Sequence, residues 1–512
     1  MIYVAEIVVH DGSGLVTHLF STDAFVSRPT DTPANTIARG RLIQPANYTR
    51  NLNASAPVGV IETGFGECVV ENSDGKLDDL LRVGVDGQSF KLYAKSEHGG
   101  DYPADWTLCL VASMDRVEAR SKDKIAFILR DPVKSLLEKP VCATFAGTGG
   151  LEGTAAMSGQ PKPRVYGAPF NAPLTLLNGN DIYMMSDKPY TACFANFDGR
   201  YIINNGAAGY DNVANYAALV AQSVSPGTAY RCGADSVVKL GSVPSLKATF
   251  DGSRNVSGYA TPYRKTFGEV VTDLMTDAGL SGSLGSVTGL TASTSYFVQD
   301  TSTTYKDILD ATARGCGYWA GFNRTGILQI ASLDAALTSP VTVFTQHNSS
   351  LVSFTQQLPS AAVTSKGIKN WTTMSETEVA NATKSANLEF SKALSGDTMS
   401  VNKSGSAPAK HPLAQDFEFI DLGSNDNSSG NVIPSGILSS ANQRSYLVLQ
   451  DEFVVMTITA PLTLSALTTV DIGSVVNVKM PRFGLDAGDH FYCVIGIRYE
   501  FAMRKITYTL WG

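Results

Sequence analysis

Eighteen consecutive residues without a charge, Phe453 to Val470, set the first constraint on this chain. A run of that length is long enough to cross a bilayer as a helix. Its pattern points elsewhere. Pro461 stands near the middle, Thr occupies positions 457, 459, 463, 468 and 469, and Met456-Thr457-Ile458-Thr459 alternates with the period of a strand. The segment reads as two strands around a Pro-containing turn, with no membrane insertion.

The same character extends over the whole chain. Charged residues are 17% of the sequence, against about 25% in ordinary soluble proteins, and Gly, Ser, Thr and Asn fill the difference. The apolar fraction, 43%, is enough for packed cores. At 512 residues the chain exceeds what one hydrophobic core supports. These features predict a multi-domain protein, mainly β with α+β parts, and exclude coiled coils and helical arrays.

Forty basic and 47 acidic residues give a formal net charge of −7. The densest basic cluster, Arg120 to Lys124, is broken by Asp123 and reads as a solvated hairpin tip, so no nucleic-acid-binding surface is indicated. The seven cysteines, at 68, 109, 142, 193, 232, 316 and 493, form no C-x-x-C pair, which disfavours a disulfide framework or a zinc knuckle. The N-terminus carries Glu6 within its apolar stretch and no basic leader, unlike a signal peptide.

Catalytic patterns are missing. The six histidines fall in no H-E-x-x-H or H-x-H arrangement, no Ser has the G-x-S-x-G frame, and the Gly-rich run 147–153 lacks the Lys-[Ser/Thr] of a phosphate loop. Ser121/Lys124 and Ser400/Lys403 match S-x-x-K as isolated pairs only. Asn72 to Asp79 is rich in oxygen side chains, yet it lacks the D-x-D spacing and terminal Glu of a calcium loop and reads as a turn before a helix start. No residue is singled out as catalytic, cofactor-binding or metal-ligating, and no cofactor is expected.

Four segments follow from the pattern. Residues 1–140 form a β domain, opening with a hairpin of Ile2 to Val9 and Leu15 to Phe20 around Asp11-Gly12-Ser13-Gly14. Further strands are Phe90 to Tyr93, Trp106 to Ala112, Arg116 to Arg120 and Ile125 to Leu129, before a short helix after Asp131-Pro132. Residues 141–245 are an irregular connector whose main regular element is a helix from Asp211 to Gln222. Residues 246–335 hold two helices, announced by Thr266-x-x-Glu269 and Thr304-x-x-Asp307 and stopped by Gly279 and Gly315/Gly317, followed by a hairpin around Asn323 to Gly326. Residues 336–512 are a β domain with long polar loops at 395–411 and 423–436. It contains strands at Ser445 to Leu449, Val475 to Val478 and Phe491 to Ile497, and ends with Ile506 to Trp511 built into a sheet.

Several segments in this order resemble the tail-tip or baseplate hub proteins of long-tailed, siphophage-like bacteriophages and of gene-transfer particles. They are Ile2 to Ile7; Pro29-x-Asp31-x-Pro33-Ala34-Asn35-Thr36; Glu71-Asn72-x-Asp74-Gly75-x-Leu77-Asp78; Gly149 to Gly153; Gly159 to Pro163; Val165-Tyr166-Gly167; and Tyr318-Trp319-x-Gly321-Phe322-x-Arg324-x-Gly326. The end is the most specific: Gly473 to Val476, Pro481 to Gly488, Val494-Ile495-Gly496 and Thr509 to Gly512. The polar loops 395–411 and 423–436 match nothing in that pattern.

The resemblance implies a structural, non-enzymatic virion protein, assembled in the host cytoplasm. It would carry two tube-like β domains per chain, and its homotrimer would form a pseudo-sixfold ring at the tail tip. The implied partners are further copies of itself, distal tail and tail-tube proteins, the tape-measure protein and tip-fibre or receptor-binding proteins. DNA is only passing cargo during ejection and host cell entry. Three copies would carry three times −7, or −21, and a wall that is not basic does not grip passing phosphates. The alternatives are a tail-associated enzyme that degrades cell wall or polysaccharide, and a hexameric distal tail ring.

Overall fold

The computed structural model describes the chain except residues 98, 180, 191–193, 198–200, 203–210, 246, 252–264, 333–336, 338, 380, 382–383, 385–394, 406–408, 423–448, 450 and 487. The loop at 423–436 and most of the strand expected at 445–449 lie outside the described residues.

The protein is mainly β and multi-domain. The opening hairpin, Ile2–His10 with Leu15–Ser21, begins a seven-stranded antiparallel sheet. From edge to edge its strands are Leu15–Ser21, Ile2–His10, Ser89–Lys95, Thr107–Ser121, Lys124–Arg130, Glu67–Glu71 and Leu42–Gln44. The two strands expected at 106–112 and 116–120 are one continuous strand, Thr107–Ser121. A bulge between Met114 and Arg116 shifts the register without ending the pairing, so the change in polarity marks where burial stops and not where the strand stops.

The second large sheet runs Thr342–Thr345, Val475–Lys479, Phe491–Glu500, Lys505–Trp511, Phe453–Pro461 and Ser350–Gln357. Its other two strands come from the opposite end of the chain. Asn47–Asn51 pairs with residues 496–500, and Glu62–Phe65 pairs in turn with Asn47–Asn51. Apolar residues of both sheets, from Tyr3 to Trp511, merge in one hydrophobic cluster.

The uncharged stretch 453–470 resolves into the strand Phe453–Pro461 and a short helix, Leu464–Thr469, in place of the second strand expected. Thr463 decides this: its hydroxyl accepts the Ala466 N–H at 3.1 Å, and Leu467 turns inward.

The segment read as an irregular connector holds sheets of its own. A five-stranded sheet is built from Thr175–Asn178, Ile182–Met184, Val237–Leu240, Ala229–Cys232 and Asp211–Asn212, around buried Leu177, Ile182, Met184 and Val237. The helix expected from Asp211 starts at Tyr216 and ends at Val220, because Asp211–Asn212 pairs with Tyr230 and Arg231 and Asn215 supplies the cap. The polar stretch 395–411 contains the strand Thr398–Ser404, which pairs with Val363–Lys369 and so is not the mobile loop its composition suggested. Backbone pairing needs no apolar side chains, and composition is blind to it.

Both helices of the middle segment form as their end signals predict. Phe267–Asp277 and Tyr305–Cys316 each begin with a complete capping box, and Gly317 takes the left-handed conformation at φ 73°. Their apolar faces share a core with the hairpin Tyr318–Phe322 and Leu328–Ser332.

Candidate assembly site

In the strand Asn47–Asn51, Tyr48 and Arg50 alternate inward while their neighbours stay partly exposed. The Arg50 side chain is 1% exposed. Its Nη1 donates to Asp471 Oδ1 at 2.5 Å and its Nη2 to Gln329 Oε1 at 2.9 Å, while Gln329 Nε2 closes the triangle on Asp471 Oδ2 at 3.1 Å. These residues belong to the N-terminal part, the middle hairpin and the C-terminal part. Beside them the Tyr48 ring stacks on Tyr499 with centroids 6.2 Å apart, and its hydroxyl donates to the Phe322 carbonyl.

The tip of the middle hairpin makes a second junction. Asn323 Oδ1 accepts the N–H groups of Thr325 and Ile327, fixing the turn. Arg324 then reaches both large sheets' surroundings. Its Nη1 donates to Leu108 O, its Nε donates to Leu467 O at 3.3 Å, and its own carbonyl accepts the Val111 N–H at 2.8 Å. Gly473 lies against the same hairpin, with φ +84°, and a methyl group on it would sit 2.9 Å from Trp319 Cζ2. The opening residues of the most specific C-terminal motif and the middle motif are thus two sides of one contact.

Other motif residues serve the fold in the same way. Asp31, almost fully buried, accepts N–H groups from Arg28 at 2.6 Å and Tyr102 at 3.1 Å. Arg41 grips Asp74 with two bonds of 2.8 and 2.6 Å and holds its carboxyl well below the usual carboxylate range. Asn72 spans the turn, accepting from Leu77 N and donating to Asp78. Glu152 and Lys162, from two neighbouring motifs, pair at 2.6 Å, and the Lys162 contact lowers the Glu152 pKa.

Several charged groups at these sites pair with one another. Arg164 binds Asp187 at 2.8 Å and also Asp277, which further accepts from Tyr166 Oη at 3.1 Å. Burial raises the Asp187 carboxyl despite that partner. A cavity of about 210 Å³ opens beside this group, lined by Lys188, Asp273 and Thr276. A larger one, about 310 Å³, is lined by Glu62, Asp131, Lys134 and Lys306. Asp131 is raised by burial there, although it accepts from Val133 N and Thr63 Oγ1. The six described cysteines are buried, and burial pushes Cys109 and Cys493 up to about 12, far from a reactive thiolate. Among the described residues no three His, Cys, Asp or Glu side chains gather as a metal site.

Sequence reading singled out no site residue, so Arg50, Gln329 and Asp471 are findings of the structure. The one trace they leave in sequence is the alternation that sets Arg50 on the face of Tyr48.

No family model matches the chain, and no curated protein matches it. Solved structures similar to it include tail and prophage tail proteins. The tail protein from Neisseria meningitidis MC58 is 9% identical, with 100% of this chain and 96% of that chain covered and a TM-score of 0.40. The 43 kDa tail protein of prophage MuSo2 from Shewanella oneidensis is 10% identical, with 99% and 95% covered and a TM-score of 0.40. A chain of the virion of a native gene transfer agent particle is 12% identical, with 69% and 84% covered and a TM-score of 0.40.

Proposed function

We propose that this chain is a structural hub of a phage tail tip or baseplate, acting as a homotrimeric ring around the channel through which DNA leaves. The observation that carries this reading is the pair of large β-sheets sharing one core within a single chain. Two tube-like units per chain are what three copies need to meet a sixfold tube. In this reading residues 1–140 and 336–512 are those units, 246–335 is the keystone between them, and 141–245 is the outer β portion. Residues 47–65 cross from the first unit into the second. Tail-tube, tape-measure and tip-fibre proteins are the partners, and the chain's place is the virion.

The reading includes no catalysis. Asp131, Asp187 and Asp277 are each held by contacts that maintain the fold, and burial raises the thiols of Cys68, Cys109, Cys142, Cys232 and Cys493. Light scattering on the purified chain and symmetry analysis of its images test the proposal. A threefold assembly with an axial channel is expected, and an assembly of neither threefold nor sixfold symmetry overturns it. Clearing of purified cell wall by the chain overturns the non-enzymatic part.

A further inference from the structure

Two loops of the N-terminal part close on a cavity of about 220 Å³. One loop carries Arg28 and Asp31, and the other carries Gly99, Gly100 and Tyr102. They are tied together: Thr32 N donates to Tyr102 O at 3.2 Å, and Asp31 accepts Tyr102 N at 3.1 Å. One wall is aromatic. The rings of Phe25 and Trp106 stack there with centroids 5.3 Å apart, and Tyr102 meets Trp106 edge-on at 5.8 Å. Gly99 and Gly100, at φ 121° and 73°, bring backbone without side chains to the rim.

Polar capacity is left over inside. Trp106 is 7% exposed, and among the described residues no atom accepts its indole N–H. That N–H is not sealed in either, and Trp106 lines the cavity, so a donor is held open toward it. Asp31, 6% exposed, lines the same cavity. A carboxylate has about four acceptor sites, and the N–H groups of Arg28 and Tyr102 take a single site on each oxygen. Arg28 spends its Nη1 on Asp101 at 2.7 Å, near the surface, and has further donors to offer.

We propose that this cavity binds a single neutral sugar ring. The leftover donors and acceptors select the ligand. A sugar hydroxyl both donates and accepts, so it takes the N–H of Trp106 or Arg28 and gives its own proton to Asp31, while ring C–H groups cover the aromatic wall. A simple anion uses Arg28 but is repelled by Asp31 and Asp101. An organic cation uses the carboxylates and leaves the indole donor unmet. A proline-rich peptide uses the rings and the indole N–H, and a proline has no donor for Asp31. A polyol uses both kinds of polar group. The ring belongs either to a free sugar or to the exposed end of a saccharide chain. The cavity is complete within one chain, so the site stands or falls separately from the ring-assembly reading.

The test is saturation-transfer NMR on the full-length chain with glucose, galactose, mannose, N-acetylglucosamine and rhamnose, each as the free sugar and as its methyl glycoside. Saturable binding of at least one of them is expected, with a millimolar or tighter dissociation constant. Trp106→Phe keeps a ring in the stack and removes the N–H, and Arg28→Gln removes the guanidinium from an exposed position. Each is expected to weaken binding about tenfold, with urea midpoints showing which variants fold. Arg28→Gln decides if Trp106→Phe does not fold. Methyl glycosides that bind as well as the free sugars assign the site to a chain end, and binding of the free sugars alone assigns it to a free sugar. Absence of binding by all of these probes at about 50 mM, or unchanged binding in either folded variant, overturns the site. Binding of a decaproline peptide in place of the sugars overturns the ligand class.

Discussion

At the scale of single residues, Arg50 shows how much one buried cation can be asked to hold. Its guanidinium is out of water and its two terminal nitrogens are spent on Asp471 and Gln329, so removing it leaves Asp471 without its cation and Gln329 Oε1 without its donor. Breaking a buried pair costs about 3–5 kcal/mol, and partial exposure of Asp471 places this one at the low end. Arg50→Met is therefore expected to destabilise the chain by about 3 kcal/mol, read as a lower urea midpoint. A midpoint within error of the parent would show that the triangle is not structural.

Asp131 gives a pH dependence with a definite sign. Burial raises its carboxyl above the ordinary value, so the folded chain keeps that proton to higher pH than the unfolded chain does. Its stabilising contribution is complete below the ordinary carboxylate range and is lost as pH rises through the raised value. Asn in its place still accepts from Val133 N but does not titrate. Asp131→Asn should flatten the fall of the urea midpoint with rising pH in the acid range, and an unchanged slope would refute the assignment. Neither residue was evident as a site beforehand. Asp131 was legible only as a helix-start residue, because its neighbour Thr63 arrives from another strand.

At the scale of elements, end signals proved more dependable than composition. The boxes Thr266/Glu269 and Thr304/Asp307 are local, each spanning three residues, and the helices begin where they fall. Thr304→Ala removes an acceptor from Asp307 N and is expected to cost about 1 kcal/mol, with faster hydrogen exchange in the first turn of that helix alone. Strand ends were read less well, since strands pair with distant partners. Thr107–Ser121 outlasts its apolar half, and Thr398–Ser404 was hidden in polar sequence. Gly473 belongs to this scale as well, because its positive φ and the Trp319 ring both exclude a side chain. Gly473→Ala should cost at least about 2 kcal/mol and shift the tryptophan emission, and a silent substitution would mean the hairpin does not bear on that turn.

At the scale of the whole molecule, the two large sheets share one hydrophobic cluster, and Arg324 adds hydrogen bonds to Leu108 of the first sheet and to Leu467 beside the second. Arg324→Ala is expected to split a single cooperative thermal transition into two, observed by calorimetry, as the units uncouple. One transition at an unchanged temperature would show that the shared core alone couples them. The low charge also changes meaning at this scale. Weakly charged, apolar surface strands suit a chain whose copies cover one another, and a stable soluble monomer would remove that interpretation.

What depends on near neighbours in the chain is legible from residue order: a mainly β, multi-domain body, two capped helices, the opening hairpin and a C-terminal strand built into a sheet. Period, cap and turn chemistry act over a few residues, so they can be read in order. Long-range pairing alone shows that Asn47–Asn51 leaves its own segment for the C-terminal sheet, that Arg50 meets Asp471, and that Ser350–Gln357 is the last strand of its sheet among the described residues. The physical reason is that strand order and buried polar partners are set by backbone hydrogen bonds and charge pairing between residues hundreds of positions apart, and these leave almost no trace in local pattern.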